Sequence, residues 1–156
     1  MLAPRQTFVA AALCAGIACG VSTAGAKDVP PNDVKIVDGK VTEAISDAPA
    51  SATDGRKFFA DRKLGNCLAC HANSDMSEQL FHGEVGPPLD GVAARWTPEE
   101  LRAIVVNSKA VFGEQTVMPG FYSLEVGKDV AKDFQGKTIL TAEQVESIVA
   151  YLATLK

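Results

Sequence analysis

Five consecutive residues, Cys67-Leu-Ala-Cys70-His71, constrain this chain more than any other stretch. What the two thiols can do depends on the other two cysteines, Cys14 and Cys19. Four cysteines in a short chain would suggest a two-disulfide scaffold. The first pair, however, lies in a segment with the character of a leader. Arg5 is the only charged residue before Lys27, and an apolar run of 14 residues from Phe8 to Val21 follows it. That run is shorter than the roughly 20 apolar residues a bilayer span needs. It ends near Ala24-Gly25-Ala26, a small-x-small cleavage pattern. Residues 1–26 therefore read as a signal peptide cut after Ala26, with an uncleaved anchor as the alternative. A lipoprotein acceptor at Cys19 is disfavoured by the Gly16-Ile17-Ala18 triplet before it. The mature chain would be the 130 residues from Lys27 to Lys156, exported to the periplasm, with Cys67 and Cys70 as its only thiols.

Residues three and four apart on a helical turn share a face. Cys67, Cys70 and His71 can thus present two sulfurs and one imidazole to the same flat object. This is the attachment signature of a c-type haem, with two thioethers to the porphyrin and His71 on the iron. Two other chemistries use similar spacing. A thioredoxin-type dithiol would need a βαβ setting, and strand patterns are missing. A zinc site would need two more ligands at metal spacing, and only His82 and carboxylates are available.

The second axial ligand must come from farther along. Met76 and His82 follow His71 by short links that do not readily wrap from one haem face to the other. Met118 lies in Thr116-Val-Met-Pro-Gly-Phe-Tyr122. Pro119 restricts it to extended backbone and Gly120 permits a sharp turn. Met118 is the candidate, with His82 as the alternative. A Met/His pair raises the reduction potential relative to two nitrogens and suits an electron acceptor or relay. In Gly86-Pro87-Pro88-Leu89, the Pro87 carbonyl could accept the other ring N–H of His71. A plain rigid turn is the competing reading.

The rest of the pattern is helical. Asp54 can cap a helix to about Lys63, with Phe58 and Phe59 inward. Thr97-Pro-Glu-Glu100 opens a second helix to about Asn107. Thr141-Ala-Glu-Gln144 opens a third to the C-terminus, with Val145, Ile148, Val149, Leu152 and Leu155 on one stripe. Residues 108–137 read as loop, and so long a loop in a compact domain must wrap around something. Residues 27–53 form an extension in which Asp38-Gly39 either closes a tight hairpin or belongs to an irregular arm. The organisation is leader 1–26, extension 27–53 and an all-α domain 54–156. Aromatic residues are 6% of the chain, so a haem would supply part of the core. The net charge of -4 becomes -5 once Arg5 is removed, which argues against a nucleic-acid binder.

Asp54-Gly-Arg-Lys-Phe-Phe59, Cys67 to His71, Gly86-Pro-Pro-Leu-Asp-Gly-Val92, Met118-Pro119 and Val149-Ala-Tyr-Leu152 occur in the order of class I cytochromes c, which this chain resembles. The resemblance implies a crossing of first and last helices at Gly55, Phe59 and Tyr151, and it maps the carbonyl partner of the ligand His onto Pro87. Four longer stretches, 62–71, 81–87, 105–113 and 116–122, resemble the SoxX family of monohaem cytochromes. That resemblance implies a heterodimer with a SoxA-type cytochrome, whose active-site haem carries a modified cysteine ligand. The implied complex is an L-cysteine S-thiosulfotransferase that joins thiosulfate to a cysteine of the SoxYZ carrier. This chain would relay the released electrons to a downstream acceptor and hold no catalytic nucleophile of its own. A free-standing periplasmic electron carrier and a haem enzyme with an open iron site are the alternative functions.

Overall fold

Two Thr-x-x-Glu/Gln boxes start the two longest helices. We describe residues 27–156 in a computed structural model; the expected leader, with Cys14 and Cys19, lies outside the described residues. The Thr97 hydroxyl accepts from the Glu100 N–H while the Glu100 carboxylate reaches back to the Thr97 N–H. Thr141 and Gln144 repeat the arrangement. Each box satisfies two N–H groups that a helix start leaves unpaired. The helices are α1 (Ala52–Ala60), the single-turn α2 (Val92–Arg95), α3 (Pro98–Phe112) and α4 (Ala142–Leu152). Four 3-10 turns lie between or before them, and no strand occurs among the described residues. The fold is the expected all-α one.

Several boundaries differ from the sequence reading. Ser51, not Asp54, caps α1 through the Asp54 N–H at 3.1 Å. The helix stops at Ala60, where Asp61 leaves helical geometry. α3 does not end at Asn107; it breaks there (φ -154°, ψ 89°) and resumes through Phe112. Residues 108–112, expected in a loop, therefore belong to it.

The expected crossing of α1 on α4 is present. Gly55 meets the α4 backbone so closely that a Cβ would stand 1.8 Å from the Ser147 carbonyl oxygen. Phe59 and Tyr151 pack edge to face at 5.6 Å beside it. α3 lies against α4 on another side, and Leu101, Val105, Val145 and Ile148 meet in the shared core.

The segment before α1 combines both readings of it. Asp38 and Gly39 have positive φ, and Val37 and Lys40 exchange two 2.9 Å hydrogen bonds, so a two-residue turn closes without a strand ladder. Elsewhere the segment drapes over the helices. Val41 and Ile45 are buried in the core. Glu146 of α4 takes Arg102 of α3 at 2.8 and 3.0 Å and the Ile45 N–H at 2.8 Å. Arg102 also donates to the Val41 carbonyl at 2.8 Å. In this nearly buried ion pair each Arg102 nitrogen donates once and both Glu146 carboxylate oxygens accept, the kind of partnering under which such a pair is tolerated.

Candidate functional site

Asn66 adopts left-handed backbone (φ 46°) and turns the chain into the 3-10 turn Cys67–Ala69. The Cys70 and His71 N–H groups both donate to the Cys67 carbonyl, at 3.1 and 3.0 Å. The motif thus forms the helical turn its spacing requires. Residues 83–89 are laced to it: the N–H groups of Gly83, Gly86 and Leu89 donate to the carbonyls of Leu68, Cys70 and Ala72 at 2.8–2.9 Å. This lacing sets the Pro87 carbonyl 2.7 Å from His71 Nδ1. A carbonyl only accepts, so Nδ1 carries the proton and Nε2 keeps its lone pair.

Gly86 makes that seat possible. A Cβ there would lie 2.3 Å from His71 Cε1 and 2.6 Å from Nδ1. Gly83 is equally constrained, since a Cβ would stand 2.0 Å from the Ala69 carbonyl oxygen. The sequence reading assigned no role to either glycine.

Cys67, Cys70, His71, Pro87 and Met118 all line one cavity of about 560 Å³. Its walls are otherwise mainly apolar, from Leu101, Ile104 and Val105 of α3 and Ile148 and Leu152 of α4. The loop after α3 closes another side with Thr116–Pro119 and Phe121, which is the object the long loop wraps. Cys67 and Cys70 are not joined in a disulfide. Burial pushes the Cys67 thiol up to about 12, so unmodified it stays protonated.

The other two ligand candidates are occupied elsewhere. His82 Nδ1 accepts the Asn73 N–H at 3.1 Å, and its Nε2 donates to the Met76 carbonyl at 3.1 Å. Met76 is fully buried in the core. Neither residue lines the cavity, whereas Met118 does.

An apolar cavity with two cysteine sulfurs, a backbone-seated imidazole and a thioether on its walls fits a covalently held haem. The family model for cytochrome c matches residues 52–156. The chain belongs to the cytochrome c family: it carries covalently bound haem c and serves electron transfer. Within that family it is of SoxX type. Among solved structures it is similar to SoxXA from P. pantotrophus, at 38% identity over 83% of this chain and 98% of that one, with a TM-score of 0.75. The c-type cytochrome SorU from Sinorhizobium meliloti aligns at 27% identity over 67% of this chain and 88% of that one (TM-score 0.44). Ferric cytochrome c-550 from Paracoccus versutus aligns at 17% over 69% and 98% (TM-score 0.38). No curated protein matches the chain.

Proposed function

We propose that this chain is the electron-relay haem subunit of a SoxAX-type complex in the periplasm. Residues 1–26 are a leader removed on export, 27–53 an extension and 54–156 the haem domain. Cys67 and Cys70 hold the porphyrin by thioethers. His71 Nε2 and the Met118 sulfur ligate the iron, and the Pro87 carbonyl fixes the imidazole tautomer. The haem supplies a centre that takes and gives one electron. The chain's own residues hold it by covalent bonds, orient it through His71 and keep its surroundings apolar. A dry setting with few groups to reorganise favours rapid transfer.

The partner is a SoxA-type cytochrome. Electrons arrive when thiosulfate is joined to a cysteine of the SoxYZ carrier, and they leave to a downstream acceptor. The single observation that carries this reading is the convergence of the Cys67–His71 turn, the Pro87 seat and Met118 on one apolar cavity. The likeness to SoxXA, which spans nearly that whole chain, supports the choice of partner.

Two measurements test it. The ferric protein is expected to show the Met–iron charge-transfer band, and the Met118→Ala variant is expected to lose it. A parent without the band contradicts the ligand assignment. Coexpression with a SoxA-type chain is expected to give a stable complex. Elution of this chain alone under those conditions would favour a free-standing carrier.

A further inference from the structure

The loop that carries Met118 is clasped by a helix broken to receive it. At Asn107 the chain leaves helical geometry inside α3. There the Val105 and Val106 carbonyls accept the N–H groups of Phe121 and Tyr122, each at 3.1 Å. The two residues after the break grip the loop from its other end. Ser108 Oγ donates to the Met118 carbonyl at 2.5 Å and lies 3.4 Å from the Pro119 carbonyl oxygen. Lys109 Nζ donates to the carbonyls of Glu114 and Thr116 at 3.1 and 2.6 Å. Gly120 fits the seam closely, since a Cβ would lie 3.1 Å from the Val106 carbonyl oxygen and 3.2 Å from Asn107 Oδ1.

Ser108 is fully buried. A helical serine commonly bonds back to a carbonyl of its own helix. Here the hydroxyl is spent on the loop instead, at the backbone of the residue whose side chain lines the cavity. Losing it would leave the Met118 carbonyl without this donor in a partly buried setting, a state that disfavours the closed loop.

We propose that Ser108 is a positioning residue for Met118. Its hydroxyl, together with the break at Asn107, holds the Met118 backbone so that the thioether keeps the iron against competing ligands. This inference rests on Met118 being the axial ligand proposed above. It makes the strength of that ligation a property of α3 rather than of the loop alone.

Imidazole titration of the ferric holoprotein, followed by loss of the Met–iron band, reads the loop's hold directly. Ser108→Ala is expected to bind imidazole about tenfold more tightly, the loss of roughly one buried hydrogen bond. Ser147→Ala removes a comparable bond, to the Ser51 N–H at 3.2 Å, far along the chain from this loop. It should leave imidazole affinity unchanged while lowering stability. Should Ser108→Ala fail to load haem, Gly120→Ala disturbs the same seam from the loop side and is expected to shift affinity in the same direction. Parent-like affinity in Ser108→Ala, or in Gly120→Ala where it stands in, overturns the proposal. So does an equal rise in Ser147→Ala. A parent without the Met–iron band refutes the ligand reading itself, and this proposal with it.

Discussion

A glycine at position 86 does as much for the His71 seat as the proline beside it. With a methyl group 2.3 Å from Cε1, the imidazole would have to swing away and lose the Pro87 carbonyl. Gly86→Ala should therefore lower the yield of haem-loaded protein about tenfold, in line with the cost of removing a ligand's outer partner. The ratio of haem absorbance to protein on purification checks this, and a parent-like ratio would show that the seat tolerates the methyl. Asp75 offers a different test. The Tyr151 hydroxyl, and then Arg56, hold its carboxyl below the ordinary value of 3.8. A carboxyl whose folded pKa is lowered contributes stability above its unfolded pKa and loses it as pH falls through the folded one. Stability should thus decline below about pH 3.8, and Asp75→Asn should flatten that acid limb in urea titrations run across pH. The group is half-exposed, so solvent screening keeps the effect small. All five proposed site residues line one cavity; Cys67, Cys70 and His71 were legible from spacing, Met118 from the proline and glycine after it, and Pro87 only with the family resemblance. Gly83, Gly86 and Ser108 were not, because each matters through an atom distant in sequence.

Two helix starts could be read in advance, whereas α1 is capped by Ser51 rather than the expected Asp54, and the helix interiors were read less well. A capping box is a local device, so Thr97 and Thr141 declared α3 and α4. The break at Asn107 has no such signal. It is set by the bonds from Phe121 and Tyr122 to α3 carbonyls, which a window of neighbouring residues cannot reveal. Arg102 and Glu146 were invisible for the same reason, since 44 residues separate them. Removing one partner of so well-buried a pair strands the other charge. Arg102→Ala should cost about 3–5 kcal/mol in chemical denaturation. A loss under about 1 kcal/mol would mark the pair as surface-like. At the α1–α4 crossing, Gly55→Ala should force the helices apart and cost about 3 kcal/mol or more, read by the same denaturation.

As a whole, the molecule is a helical shell around a cavity that protein side chains leave unfilled. That explains how a chain with 6% aromatic residues supports a core. The segment before α1 closes the shell from outside, through Val41, Ile45 and the Tyr122 hydroxyl bonded to the Val29 carbonyl at 2.8 Å. Mass spectrometry of the exported protein should give one chain beginning at Lys27 with one covalent haem. On the proposed function, this haem receives electrons drawn from thiosulfate within a SoxAX-type complex. The Met–iron charge-transfer band, a ferric feature expected of the proposed His71/Met118 pair, reports this transfer directly. Thiosulfate and a SoxYZ-type carrier are added to the complex, and to this chain alone. The band should bleach in the complex and persist in the isolated chain. A band that persists in the complex, or bleaches equally without the partner, would contradict the proposed function.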